Sequence, residues 1–332
     1  MLPLFRVTDV NQFAIGVDLG GTNLRASAVA VDGRVLEDFQ ISTEAQGGPD
    51  HIVQRIVEGV REVNEGHTGS ELIGVGVGVP GLIRLETGVI AKAPNLRGWE
   101  EYPLKQKLEQ ALELPVMVEN DANAAALGEV WLGAGRDVND LVLLTLGTGI
   151  GGGIVCDGKI LHGWLGMAGE IGHVTVDPHS PHICGCGNNG CLETESAGTA
   201  IRKMALQAVE EGRSPALAAL LENEGQLTPL LCAQAADGGD PAAREIFEHV
   251  GWGLGIGLAG LINTFNFPLY LLAGGVLAAW DLFAPAMMRE VERRSLTYRN
   301  TNTRIEKASL GNKAGIYGAA YLPIQAAREP RP

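Results

Sequence analysis

One short pattern occurs twice in this chain. Gly21-Thr22, a run of strand-forming residues and Asp32-Gly33-Arg34-Val35-Leu36 are answered by Gly147-Thr148, a second such run and Asp157-Gly158-Lys159-Ile160-Leu161, with one residue's difference in length. An Asp-Gly pair between two strand-like runs is the turn chemistry of a tight hairpin, because both central residues must reach positive φ. Each half is therefore expected to open on a β-meander whose first turn carries Gly-Thr. Two hairpins of independent origin would give the same Asp-Gly turns. Internal duplication also accounts for a Gly-Thr turn at the same place in each half.

Around these anchors the pattern alternates between short apolar runs and amphipathic stretches, as in an α/β protein. In the first half, strands are predicted over 13–18, 24–31 and 34–42. They are followed by a helix from Pro49 to about Glu65, the buried strand LIGVGVGVP, the helix LKQKLEQALEL, the short strand VMVEN and a helix over ANAAALGEVWL. The second half repeats the opening with LVLLTL, GGIVCDG and KIL, and passes through an irregular Gly-, His- and Cys-rich stretch from Gly163 to Glu193. Helices are then expected over 196–211, in one or two pieces up to 236, over 241–266, from Pro285 to Ser295 and over 314–327, with LYLLAGG as a buried strand. The glycines of GWGLGIGLAGL would let a backbone approach closely. At 332 residues the chain exceeds the usual size of one core, so two domains are expected. The boundary is placed near Asn120: residues 1–120, completed by a terminal helix at about 312–328, and residues 121–311.

A formal net charge of −14, with no basic run, argues against nucleic acid as a partner. No stretch is apolar for the length of a bilayer span and the start is mixed in polarity, so a soluble cytoplasmic protein is expected. Three of the five cysteines, Cys184, Cys186 and Cys191, crowd into eight residues, which suits a metal better than disulfides. With His173 they make a Cys₃His set able to close a tetrahedral zinc site, structural because four protein ligands leave no open position. His179 and His182 lie in the same stretch and could compete as ligands. Cys156 and Cys232 stand alone and are expected to be buried thiols.

A strand that ends in Asp and turns through glycines, as in Asp18-Leu19-Gly20-Gly21-Thr22, can offer backbone N–H groups and a hydroxyl to a phosphate while the carboxylate faces the accompanying magnesium. Gly147, Thr148 and Gly149 can do the same in the second half. Ordinary hairpin turns use the same residues. Neither turn fits the Walker pattern or the dinucleotide fingerprint. Asp121 opens a predicted helix, where Asn and Asp also serve as N-caps.

The segments DLGGTNLR, ENDANAAALGE, LGTGIGGGI, GEIGHVTV and CGCGNNGCLE, in that order and over nearly the whole chain, resemble the ROK family of bacterial sugar kinases and sugar-responsive repressors. The resemblance implies an α/β, duplicated actin/hexokinase-like (ribonuclease H-like) fold, two domains around a hinged cleft, ATP with Mg²⁺, and a homodimer or homotetramer. It places the catalytic base on Asp121 and sugar contacts on Asn95, Asn120, Glu170, His173 and Glu193. Gly274 and Gly275 would meet the nucleotide, and His173 is the position the family pattern selects for the metal. The implied reaction is phosphoryl transfer from ATP to a hexose, glucose first, with N-acetylglucosamine, N-acetylmannosamine, mannose or fructose as alternatives. A repressor of this family would carry a helix-turn-helix module ahead of the first turn, and only about a dozen residues precede the first strand here, too few for such a module. A non-catalytic sugar binder is the third reading, against which Asp18, Thr22, Asp121 and Thr148 speak.

Overall fold

Alternation of valine and glycine in Gly74-Val75-Gly76-Val77-Gly78-Val79 explains how the first half is layered. Successive residues of a strand face opposite sides of a sheet, so the valines join a buried cluster with Ile15, Val17, Ile52 and Ile56. The glycines face the other way, where a Cβ on Gly76 would run into the carbonyl of Ala319 and one on Gly16 into that of Ile316. A helix thus lies on this sheet at backbone contact, which no larger residue would permit.

The computed structural model describes residues 11–67, 69–93, 96 and 98–328. In chain order the elements begin with β1 (Gln12–Leu19), β2 (Asn23–Ala30), β3 (Val35–Ser42), α1 (Pro49–Asn64), β4 (Glu71–Val79), β5 (Leu82–Arg84), β6 (Val89–Lys92) and β7 (Glu100–Tyr102). Next come α2 (Leu104–Leu112), β8 (Val116–Asn120), α3 (Asp121–Leu132), β9 (Leu141–Leu146), β10 (Ile150–Cys156) and β11 (Lys159–Ile160). The remainder is α4 (Leu192–Ser196), α5 (Gly198–Glu210), α6 (Pro215–Glu224), α7 (Pro229–Asp237), α8 (Pro241–Phe265), β12 (Leu269–Ala273), α9 (Trp280–Arg294), β13 (Arg304–Lys307) and α10 (Ala314–Arg328). By contact density the chain falls into two compact units. One holds the chain up to Leu141, Gly153–Gly169 and the chain from Ala308 onward; the other holds Val142–Gly152 and Glu170–Lys307.

The two five-stranded sheets run β3-β2-β1-β4-β8 and β11-β10-β9-β12-β13. Each orders its own strands third, second, first, fourth, fifth, so the repeated sequence pattern is a repeated topology. In the first sheet β1–β2 and β2–β3 pair antiparallel, while β1–β4 and β4–β8 pair parallel. Parallel strands covered on both faces read as unbroken apolar runs, as β1 and β4 do. Helix α1 starts with Pro at its first position, where the missing N–H costs nothing, and buries Ile52, Val53, Ile56, Val57, Val60 and Val63 at helical spacing. Helix α10 packs against α3 as closely as against the sheet: a Cβ on Gly318 would strike the Ala124 carbonyl. The segment leading into α10 is fastened by Glu129 of α3, fully buried, whose carboxylate accepts the N–H groups of Ser309 and Leu310 at 3.2 and 2.8 Å.

Several expectations need correction. The helix predicted from Pro285 begins at Trp280 and carries Pro285 inside it, because burial of Phe283, Ala284, Ala286 and Met287 offsets the one lost backbone bond. The helix predicted over 196–211 runs from Gly198 to Glu210, because Ala197, extended at ψ 169°, separates it from the unexpected short α4 that ends at Ser196. Strand β13 and the three-stranded sheet β5-β6-β7 were not expected; runs of three or four residues are too short for a period to register. Cys232 is buried, but Cys156 is half-exposed at the end of β10. No described helix is long and apolar enough to cross a membrane.

Candidate active site

Parallel pairing of β1, β4 and β8 sets their carboxyl ends side by side: Asp18 lies opposite Gly78, Gly78 opposite Glu119, and Val79 opposite Asn120. Ligands of α/β sheets collect beyond such strand ends. The Gly20–Thr22 turn follows β1. It is closed by the Gly20 N–H on the Asn23 carbonyl at 3.0 Å and held from beneath by buried Thr43, whose hydroxyl donates to the Gly20 carbonyl at 2.6 Å. Gly21 and Thr22 are left exposed at the tip.

Asp18 and Asp121 form the charged centre of this unit. Burial, then the neighbouring Asp121 charge, raise the Asp18 carboxyl to about 6 against the pull of Arg25, whose Nη1 stands 3.7 Å away. Burial also raises Asp121 above the usual carboxylate range. The capping role that Asp121 could have filled belongs to Asn120: its Oδ1 accepts the N–H groups of Ala122 and Asn123 at 2.9 and 3.2 Å, and its Nδ2 donates to the Gly81 carbonyl at 3.3 Å. Asp121 is the first residue of α3, with Oδ1 on the Ala122 N–H at 2.9 Å. Gly78 packs at this corner, where a Cβ would make only ordinary contacts, 3.6 Å from the Val17 carbonyl and 3.8 Å from Asp121 Cα.

In the second unit the Gly147–Gly149 turn rests on the start of α5. The Gly147 carbonyl accepts the Gly198 N–H at 2.9 Å, and the Thr148 carbonyl accepts the Thr199 hydroxyl at 2.9 Å. Beneath it, Glu193 Oε2 accepts the Ile150 N–H at 2.9 Å and occupies the space a Cβ on Gly149 would need. Gly274, at φ 97°, packs against the backbone of Leu146, whereas Gly275 has open space around it.

The four residues of the Cys₃His set converge in the same unit, with one ligand atom from each of His173, Cys184, Cys186 and Cys191 within 4.8 Å of one another. Cys186 and Cys191 Sγ are 3.7 Å apart, and Cys184 Sγ is 3.4 Å from His173 Nδ1. A tetrahedral zinc with bonds of about 2.3 Å to sulfur and about 2.0 Å to nitrogen would set its ligands roughly 3.5–3.8 Å apart, so the residues fit that ion. Burial pushes the Cys191 thiol up to about 12 and raises Cys184 as well; a dication would reverse both. His173 Nε2 stands 3.8 Å from exposed Glu170, and Cys184 Sγ stands 3.8 Å from Glu193 Oε1. His182 does not join the ligands. Its Nδ1 lies 3.5 Å from Glu195, a buried carboxylate that also accepts from Ser180 Oγ at 2.7 Å and His249 Nε2 at 2.8 Å. Burial pushes Glu195 up, but the bonds from His249 and Ser180 outweigh it and hold the carboxyl at about 2. His179 is exposed, its N–H on the Asp177 carboxylate.

The sequence profile of the ROK family matches residues 14–326. The chain belongs to the ROK family. A glucokinase of Halalkalibacterium halodurans is 40% identical over 317 residues, 95% of this chain and 96% of the relative. The crystal structure of a ROK hexokinase from Thermus thermophilus superposes with a TM-score of 0.82 at 33% identity, covering 95% of this chain and 99% of that one. A ROK glucokinase from Streptomyces griseus, solved in complex with glucose and AMPPNP, gives 0.79 at 35% identity over 94% and 99%. The ROK fold is the actin/hexokinase-like one, and the repeated sheet order is its signature here.

Of the site residues expected from the ROK resemblance, Asn95 lies outside the described residues. Asp18, Gly20, Gly21, Thr22, Asn120 and Asp121 come together at one set of strand ends, while Gly147, Thr148, Gly149, Glu193 and the metal cluster come together in the other unit. Sequence reasoning missed Arg25, Thr43, Thr199 and Glu195. Arg25 stood inside the DLGGTNLR segment and was legible; the other three act through pairings that no local pattern announces.

Proposed function

We propose that the protein transfers the γ-phosphoryl group of MgATP to the primary hydroxyl of a hexose, with glucose as the preferred acceptor. The observation that carries this reading is the row of strand ends placing the Asp18 turn beside the Asn120–Asp121 junction. A phosphate-facing loop and a carboxylate able to take a hydroxyl proton then share one corner, and phosphoryl transfer asks mainly for positioning and charge stabilisation. The glucokinase relatives and the glucose and AMPPNP complex of the Streptomyces griseus enzyme support the same reaction.

In this reading Asp121 accepts the proton of the sugar hydroxyl as its oxygen bonds to the γ-phosphorus and ADP departs. The raised proton affinity that burial gives Asp121 suits a general base. Gly20, Gly21 and Thr22, with Gly147, Thr148 and Gly149, offer N–H groups and hydroxyls to the phosphates, and Gly274 and Gly275 border the nucleoside. Asp18 would hold the magnesium, which when bound neutralises charge on the phosphates. Asn120, Glu170, His173 and Glu193 contact the sugar hydroxyls, with Asn95 as a further contact. His173, Cys184, Cys186 and Cys191 hold a structural zinc that fixes the loop carrying those groups. The proposal extends to a hinged cleft between two α/β domains, 1–120 with about 312–328 and 121–311, and to a cytoplasmic homodimer or homotetramer.

The test is a coupled ADP-release assay with MgATP over glucose, mannose, fructose, N-acetylglucosamine and N-acetylmannosamine. Sugar-dependent turnover highest with glucose is expected; ADP release that no sugar stimulates would refute the kinase reading.

A further inference from the structure

Glu119 stands directly before the Asn120–Asp121 junction and has no part in the chemistry above, yet it is a carboxylate only 3% exposed. A buried ion costs several kcal/mol to desolvate and is weak evidence of stabilisation, so its hydrogen bonds must account for its place. Oε1 accepts the backbone N–H of Asn120 at 2.9 Å and Nδ2 of Asn123, in the first turn of α3, at 3.0 Å. Oε2 accepts the ring N–H of His162, from the segment after β11, at 2.7 Å. One side chain therefore ties the end of β8 and the start of α3 to a third, distant piece of chain. The Asn123 Oδ1 atom is buried without a hydrogen-bond partner, which implies that the amide is held in this orientation for the donor it gives Glu119.

We propose that Glu119 and His162 form a positioning pair that fixes the Asn120–Asp121 junction, and so the alignment of the base with the sugar hydroxyl. This rests on the kinase reading for its catalytic consequence, though not for its geometry. With the peptide N–H of Asn120 bound to Glu119, its Oδ1 on the α3 cap and one Nδ2 hydrogen on the Gly81 carbonyl, residue 120 is held at both ends, and Asp121 follows it directly. On its outer side the pair borders a cavity of about 330 Å³ lined by Leu85, Lys105, Lys159 and Gln325 as well as by Glu119 and His162. With His162 removed, Oε1 keeps its two bonds, and water from this cavity would reach Oε2 and restore part of the bonding. Misplacement of a catalytic group by about 1 Å can cost roughly a hundredfold in rate, so partial rescue by water predicts a loss nearer tenfold.

The experiment compares full-length wild type with His162→Leu, which removes the donor, and His162→Gln, whose amide nitrogen can take the place of Nε2. His162 is partly exposed, so both variants are expected to fold. Steady-state kinetics should give a kcat about tenfold lower for the leucine variant, a sugar KM raised severalfold and an MgATP KM within about twofold, with glutamine restoring most of the loss. Hydrogen exchange of a peptide spanning 116–124 should accelerate in the leucine variant and stay near wild type in the glutamine variant. A leucine variant with unchanged exchange there, or with kcat and sugar KM within twofold of wild type, overturns the pairing, as do leucine and glutamine variants equally impaired. Absence of turnover in the wild type would instead overturn the kinase reading, and the exchange result then decides the pairing alone.

Discussion

Replacing Asp18 by Asn should make the ligand-free protein more stable at neutral pH while removing most of its activity. Burial and the Asp121 charge lift the Asp18 carboxyl from an ordinary 3.8 to about 6, so the folded state binds this proton more tightly than the unfolded chain does. The stability this group contributes is fully present below pH 3.8, declines above it and is lost as pH rises through about 6. At 1.36 kcal/mol for each factor of ten, the loss by pH 7 is roughly 3 kcal/mol. An amide of the same shape carries no such dependence. Urea unfolding at pH 4, 5, 6 and 7.5, without magnesium or nucleotide, should show the Asp18→Asn variant near wild type at the acid end and up to about 3 kcal/mol more stable at the top. For a domain of 150–250 residues that corresponds to about 6–12 °C in Tm. MgATP should narrow the difference by stabilising the wild type alone. A gap between variant and wild type that does not widen with pH would refute the reasoning, since the raised proton affinity of the Asp18 carboxyl is its source.

Three further outcomes are expected. Asp121→Asn should lower kcat by about 10²–10⁴ while calorimetry finds sugar affinity near wild type; undiminished turnover in the folded variant would remove Asp121 as the base. Metal analysis of freshly purified protein should find close to one zinc per chain, and Cys191→Ser should lose the ion and melt earlier; metal-free protein with unaltered melting and activity would dispose of the site. Gly318→Ala drives a methyl group into the Ala124 carbonyl and should cost at least about 1–3 kcal/mol, the usual penalty of overpacking, read from the urea midpoint; a neutral effect would mean that α10 and α3 are not in backbone contact.

What lies close together along the chain could be read from it. The meander strands, the Gly-Thr turns, helices α1, α3 and α8 and the Cys₃His set all depend on neighbours within a few turns, where backbone preference, apolar period and ligand spacing act directly. Even the repeated topology was announced by its repeated turns. The short strands β5, β6, β7 and β13 were not, because their stability comes from partners rather than from their own residues.

Residue order alone settled which groups could do chemistry; folding in three dimensions settled which of them meet. Asp18 and Asp121 become neighbours because β4 pairs in parallel between β1 and β8, a register set by burial of the valine face and by the glycine face that admits α10. The sequence left His182 open as a metal ligand, and the fold sets its Nδ1 3.5 Å from Glu195 instead. Glu119 reads as an ordinary acid until the segment after β11 brings His162 to it. Long-range pairings of this kind are fixed by sheet order and packing, to which no local window of the chain has access.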